Sequence, residues 1–133
     1  MDKYVIIPLL CLVMCQLIKI IIESIKNKRI SFKRYIGGSG GIPSSHTTLI
    51  TSITTLIGID NNFEGALFGL SIVVLYIVCY DSIKLRNEVE KHSKILNKMT
   101  NENLQEEIGH DLIEVIVGLL FGIIVTLLLN YLF

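Results

Sequence analysis

Two histidines stand at the starts of apolar segments, and each has neighbours that suit phosphate chemistry. His46 ends the stretch GGSGGIPSSH, residues 37–46, and His110 precedes Glu114 by four positions. The i, i+4 spacing puts an imidazole and a carboxylate on one helical face, where the carboxylate can hold one imidazole tautomer and support its positive form. A glycine-rich loop before a helix can turn backbone N–H groups toward an anion. Together the two patterns predict histidine chemistry at a bound phosphate.

Further polar residues lie inside or at the ends of apolar segments, where lipid burial makes charge costly. Arg86 can supply bidentate hydrogen bonds to phosphate and Lys19 a point charge. The other predicted binding residues are Gly40, Gly41, Ser44, Ser45 and Asp81. One histidine would attack phosphorus to form a phosphohistidine, and the other would protonate the leaving alkoxide and then activate water. This scheme requires no metal and no cofactor.

Several of these residues also have a purely structural interpretation. Lys19 could snorkel to the headgroups, and Ser44 or Ser45 could be only a helix N-cap. A metal site is a further alternative, although no close metal-binding motif supports it. Its ligands would be His46, Asp81, His110 and Glu114.

The composition places these residues in a membrane protein. The chain has 133 residues, enough for a single domain over 1–133, and it is 51% hydrophobic with a mean hydropathy of +0.61. Lys plus Arg and Asp plus Glu both total 12, so net charge says nothing about partners. No nucleic-acid-binding motif occurs. Cys11, Cys15 and Cys79 lie in apolar runs and are expected to be small buried hydrophobes rather than a disulfide or a zinc site.

Four apolar segments predict an all-α bundle with about four membrane-embedded helices, at roughly 4–25, 45–59, 63–85 and 112–132. The first, third and fourth approach the ~20 residues that a spanning helix needs. The second is short and rich in threonine, so it is either a tilted span or a re-entrant element shielded by protein. Residues 84–108 predict a polar helical extension. Gly65-x3-Gly69 and Gly118-x3-Gly122 allow close helix approach within or between chains.

The charges in the linkers predict the orientation of this bundle. Residues 26–34 carry five basic side chains and no acid, whereas the linker after the second segment carries Asp60 and Glu64 and no base. The positive-inside rule therefore places the first and third linkers in the cytoplasm and both termini outside. With this topology, the predicted site residues from all four segments converge on the cytoplasmic membrane face.

Three sequence blocks, GGIPSSH, YDSIKLR and GHDLIEVIVG, resemble the divergent small-membrane-protein branch of the type-two phosphatidic acid phosphatase and vanadium haloperoxidase superfamily. The resemblance extends from Gln16 and Lys19 to Gly122. It implies His46 as general acid and His110 as nucleophile, with Glu114 orienting the nucleophile.

The same resemblance implies Arg86 and Lys19 as phosphate ligands, although the chain departs from the superfamily motifs. A long insert separates Arg86 from His110 where the superfamily has five residues. Lys26 stands where the superfamily has Arg-Pro, and Ser45 replaces a glycine. The wider fold has six helices, so a homodimer could complete this smaller bundle.

The function implied is hydrolysis of a lipid phosphomonoester or pyrophosphate at the cytoplasmic face of the cell membrane. Its partners would be the lipid phosphate substrate and membrane lipids, with no nucleic acid. The alternative is a non-catalytic protein that binds or transports phospholipid and retains the anion site.

Overall fold

The computed structural model of the chain describes residues 2–27, 41–106 and 108–133. In that part of the chain the regular structure is entirely helical, which confirms the predicted all-α bundle. The helices are α1 (Lys3–Asn27), α2 (Ser45–Asp60), α3 (Gly65–Ile83), α4 (Leu85–Met99) and α5 (Leu112–Leu132).

Within the described residues, three helical stretches are long and apolar enough to cross a membrane. They are Lys3–Lys26, Gly65–Met99, which joins α3 to α4, and Leu112–Leu132. These stretches agree with the first, third and fourth predicted segments. At 16 residues, α2 is about 24 Å long and shorter than the ~30 Å hydrocarbon core.

The short helix α2 lies at the centre of the bundle. It packs against α1, α3 and α5, and α5 also packs against both α1 and α3. Its buried residues are mostly small or hydroxylic: Ser45, Thr47, Thr48, Thr51, Ser52, Thr54, Leu56, Ile57 and Gly58. Lipid gives helices little hydrophobic reason to associate, so close packing of small residues and interhelical hydrogen bonds hold such bundles together. The threonine-rich segment is therefore packed against protein neighbours, as both predicted arrangements require.

Hydroxyl and thiol groups link α2 to α1 and α5. Thr126 Oγ1 of α5 hydrogen-bonds Ser52 Oγ at 2.7 Å, and both lie within 3.5 Å of Cys11 Sγ of α1. Thr48 Oγ1 donates to the carbonyl of Ser44 at 2.8 Å. Cys11 and Cys15 are free and fully buried, as predicted for small core residues.

The two Gly-x3-Gly motifs differ in their surroundings. A Cβ on Gly118 would lie 2.9 Å from the Ser44 carbonyl oxygen, and one on Gly122 would lie 2.9 Å from Thr51 Cβ. These glycines therefore permit the close crossing of α5 and α2. A Cβ on Gly65 or Gly69 would have no atom within 4 Å, so this motif makes no close approach among the described residues.

The helix predicted over 84–108 ends early. The structure ends α4 at Met99, and the chain then turns back beside it. Asn97 closes the turn, because its Nδ2 donates to the Leu104 carbonyl and its Oδ1 accepts from the Leu104 N–H, both at 2.9 Å. This side chain satisfies backbone groups that a continued helix would have paired internally.

Candidate active site

The predicted His110–Glu114 pair forms at the start of α5. His110 is only 1% exposed, and its Nδ1–H donates to Glu114 Oε2 at 2.7 Å. The same carboxylate oxygen accepts the Asp111 N–H at 3.3 Å, which fixes the carboxylate at the N-terminus of the helix. Because Nδ1 carries the proton in this pairing, Nε2 of the neutral ring holds the lone pair.

Nε2 of His110 is the reactive atom of this arrangement. It is buried and has no hydrogen-bond partner among the residues that the structure describes. A buried polar atom without a partner is costly in a native protein. A nitrogen that carries a lone pair in such a position is suited to act as a base, a nucleophile or an acceptor for a bound ligand.

The junction of α3 and α4 holds the backbone of His110. The His110 N–H donates to the Ser82 carbonyl at 3.2 Å, and Asn87 Nδ2 donates to the His110 carbonyl at 3.2 Å. The preceding Gly109 N–H donates to Glu90 Oε2 at 3.0 Å. A Cβ on Gly109 would lie 1.6 Å from Asn87 Oδ1, so only glycine fits here. Asn87 and Glu90 were not among the predicted site residues. Their only signal in the sequence is that they are polar and three positions apart, which is about one helical turn.

Lys19 points into the bundle. Its side chain is 8% exposed, and Nζ donates to Ser45 Oγ at 3.1 Å. The lysine therefore does not snorkel to the headgroups, which was the alternative interpretation.

Arg86 and Asp81 form an ion pair at the other side of the site. Arg86 Nε lies 3.3 Å from Asp81 Oδ2, and both side chains are partly exposed. The structure thus places Asp81 as a partner of the guanidinium, where it can orient Arg86.

His46 lies in the first turn of α2 with its side chain exposed. Lys19, Asp81, Arg86 and His110 all lie close enough to act on it electrostatically. Side chains carried by α1, α2, the α3–α4 junction and the start of α5 therefore meet at one end of the bundle.

Burial lowers the pKa of His110 below that of an ordinary imidazole. The Glu114 carboxylate opposes this shift, whereas the positive charges of Lys19 and Arg86 add to it. The net effect keeps His110 neutral near pH 7, which preserves the lone pair on Nε2.

Ser44 has a structural role. It is the N-cap of α2, its hydroxyl donates to Thr47 Oγ1 at 2.9 Å, and its N–H donates to the Glu114 carbonyl at 3.2 Å. The hydroxyl and the N–H thus both have partners within the bundle, and the expectation that Ser44 binds an anion stays a prediction. Ser45 Oγ accepts from Lys19. Gly41 has φ +101°, a backbone conformation that favours glycine; Gly40 lies outside the described residues.

The residues of the alternative metal site are arranged differently. Over residues 2–27, 41–106 and 108–133, no group of three or more His, Cys, Asp or Glu side chains is placed to hold a metal ion. Asp81 pairs with Arg86 and Glu114 pairs with His110. The geometry therefore gives no support to the metal interpretation.

The fold and these contacts define a class of protein: a small helical membrane protein with a histidine–carboxylate pair and two basic side chains at one end of the bundle. The chain belongs to the divergent PAP2 family, whose profile matches residues 1–125. It is also similar to the uncharacterized membrane protein YuiD of Bacillus subtilis (strain 168). The two are 26% identical over 146 aligned positions, which cover 94% of this chain and 92% of YuiD. No solved structure matches the chain.

Proposed function

We propose that the protein is a lipid phosphatase that forms a phosphohistidine on His110. The observation that carries this proposal is the state of that imidazole: Glu114 holds its Nδ1 proton, and Nε2 is left buried without a partner in the described chain. A histidine held in this way is a nucleophile with a fixed tautomer. Membership of the divergent PAP2 family supports the reaction class.

The reaction would proceed in two steps. Nε2 of His110 attacks phosphorus, an N–P bond forms, and the P–O bond to the leaving group breaks while protonated His46 gives its proton to the leaving alkoxide. Neutral His46 then takes a proton from water, the water oxygen attacks phosphorus, and the N–P bond breaks to release inorganic phosphate. Lys19 and Arg86 would stabilise negative charge on the phosphoryl oxygens, and Glu114 would stabilise the imidazolium that develops.

The substrate would be a lipid phosphomonoester or pyrophosphate on the cytoplasmic leaflet. Three membrane-length helices support an amphiphilic substrate. In the sequence, the basic residues of 26–34 follow the half of α1 that carries Lys19 and precede His46, which supports the cytoplasmic side.

A second candidate function is binding or transport of a phospholipid without turnover. The observation that favours it is the burial of His110, which at 1% exposure lies out of reach of bulk water. The chain also has Lys26 where the superfamily that it resembles has Arg-Pro, so one phosphate-binding arginine of that superfamily is not matched.

A hydrolysis assay on the full chain tests the first proposal. Purified protein in detergent with EDTA is expected to release phosphate from phosphatidic acid, phosphatidylglycerophosphate or a polyprenyl phosphate. His110→Ala should reduce that release to background, and His92→Ala should not, because His92 is exposed on α4. Vanadate, which mimics five-coordinate phosphorus, should inhibit the wild type.

Two results would decide against the phosphatase. Full activity in His110→Ala would remove the proposed nucleophile. Binding of these lipids without hydrolysis of any of them would favour the second candidate.

A further inference from the structure

An apolar groove runs along the side of α2 that α5 leaves open. It has a volume of about 320 Å³ and is lined by Pro8 of α1, Val78 of α3, and His46, Leu49, Ile50 and Ile53 of α2. The four α2 residues follow an i, i+3, i+4, i+7 pattern, which is one stripe of a helix. His46 is the only polar side chain among the six.

The packing of the bundle explains why this stripe is uncovered. Among the described residues α1 and α3 both pack against α2 and α5, but not against each other. They therefore form two walls, α2 forms the floor, and the space between them faces the surroundings of the bundle. In a membrane those surroundings are the lipid chains. The rest of α2 is largely covered by its neighbours.

The two ends of the groove differ in chemistry. At one end His46 lies within electrostatic reach of Lys19, His110 and the Arg86–Asp81 ion pair. Seven residues on, about 10 Å along the helix, Ile53 and Pro8 make the other end wholly apolar. This change from a polar end that carries the Lys19 and Arg86 cations to a hydrocarbon-like wall complements a molecule with an anionic head joined to an apolar chain.

We infer that this groove binds the first part of the hydrocarbon chain of the lipid whose phosphate group sits at His46. The inference rests on the proposed function for the position of the phosphate, and it adds a chain-binding site with its own residues. The remainder of the chain lies in the bilayer, since a groove of about 10 Å is far shorter than the ~30 Å hydrocarbon core. Leu49, Ile50 and Ile53 make the chain contacts.

Photo-crosslinking tests the groove without requiring turnover. The full-length protein is placed in vesicles of phosphatidylcholine that contain either phosphatidic acid or phosphatidylcholine with the same diazirine group in the upper part of one acyl chain. Photolysis and peptide mass spectrometry then locate the label. Phosphatidic acid is expected to label residues 49–53 at least several-fold more than phosphatidylcholine does, while both lipids label the exposed face of α3 equally.

Two matched variants sharpen this test. Ile53→Trp fills the groove and should reduce labelling of residues 49–53 by phosphatidic acid. Ile72→Trp places the same side chain on an exposed part of α3 outside the groove and should leave that labelling unchanged. If the phosphatase assay succeeds, Ile53→Trp should also raise KM for the lipid phosphate with little change for a water-soluble phosphate monoester.

The outcomes separate this inference from the proposed function. Equal labelling of residues 49–53 by the two lipids would mean that the groove holds only surrounding bilayer lipid, and it would overturn the inference even if phosphate release were observed. Selective labelling by phosphatidic acid, without hydrolysis of any of the three lipid phosphates, would support the groove and contradict the phosphatase. The wild-type labelling pattern remains decisive should Ile53→Trp fail to fold.

Discussion

Glu114 connects three features of the site through one carboxylate. It accepts the Nδ1 proton of His110, accepts the Asp111 N–H at the start of α5, and raises the pKa of an imidazole that burial lowers. The carboxylate thus sets both the tautomer of His110 and its charge. Removing the negative charge while keeping the shape of the side chain separates these effects.

We predict that Glu114→Gln lowers kcat by about 10- to 100-fold, the usual cost of losing a supporting hydrogen-bonded carboxylate. The substitution should also lower the pKa of His110 further, because Glu114 is the group that raises it. His110 must be neutral to attack, so activity is lost as pH falls through its pKa. The acid limb of the pH profile should therefore move to lower pH.

Lys19→Met provides the opposite shift as a comparison. Lys19 lowers the pKa of His110, so its removal should move the acid limb to higher pH. The pKa of His110 can be measured without turnover by ¹⁵N NMR, since the chain has only three histidines. Glu88→Gln, on the exposed face of α4, is the control and should change neither quantity. If Glu114→Gln and Lys19→Met move the acid limb of the pH profile in the same direction, this electrostatic account is contradicted.

The sequence predicted the local part of this site better than the long-range part. His110 and Glu114 are four residues apart, so helix geometry alone brings them together. The N-cap role of Ser44, one of its two interpretations, follows from its place at the start of α2. Its contact with the Glu114 carbonyl is long-range, and the sequence pattern did not predict it. Asn87 was missed for the same reason: its contact with His110 spans 23 residues and depends on how α4 folds.

At the scale of elements, α4 and the segment after it form the long insert between Arg86 and His110, where the superfamily that the chain resembles has five residues. Arg86 and His110 are far apart in sequence, yet both act electrostatically on His46. The chain returns from the end of α4 and is tied at Gly109, whose N–H binds Glu90. The contact with Asn87 leaves no room there for a Cβ. This return is what carries His110 to the end of α3.

We predict that Gly109→Ala displaces α4 from the start of α5. A methyl group would overlap Asn87, and overpacking of this kind costs about 1–3 kcal/mol. Thermal unfolding in detergent should show a lower Tm, and phosphate release should fall because His110 shifts. Gly69→Ala is the matched control, since its Cβ would meet no atom within 4 Å. Equal effects of the two substitutions would contradict the role of Gly109.

The elements themselves were predictable where hydropathy decides them. Three membrane-length helices follow from their apolar runs, and the structure has them close to the predicted positions. The end of α4 was placed too late, because the polar run continues past Met99 without a proline or glycine until Gly109. Asn97 ends the helix through contacts with residues that follow it, and such a turn leaves no periodic signal in the sequence.

At the scale of the molecule, an ion pair joins two helices at the end of the bundle that lies away from the histidines. Opposite the histidines, Lys3 Nζ lies 2.7 Å from Asp60 Oδ2, and the Tyr4 hydroxyl donates to the same carboxylate. These contacts join the start of α1 to the end of α2 and fix their antiparallel alignment. The Gly65-x3-Gly69 motif of α3 has no close neighbour among the described residues. It is therefore a surface at which a second copy could pack, and the homodimer stays a prediction.

The orientation of this bundle in the membrane is the last prediction, and it decides which leaflet supplies the lipid. Positive charge in the first linker predicts that the end with His46 and His110 faces the cytoplasm and the end with Asp60 faces outward. Asn61 and Asn101 are exposed residues toward the outer and inner sides of that arrangement. Cysteine at position 61 removes one side-chain hydrogen bond, from Asn61 Nδ2 to the Ile57 carbonyl at the end of α2.

In intact cells, a membrane-impermeant maleimide should label Asn61→Cys, whereas Asn101→Cys should react only after the membrane is opened. The wild type supplies the background: Cys11 and Cys15 are fully buried, and any reaction of the partly buried Cys79 of α3 is measured in it. Labelling of Asn101→Cys from outside intact cells would place the site on the outer face. The substrate would then come from the outer leaflet, and the histidine chemistry would be unchanged because it depends only on contacts within the bundle.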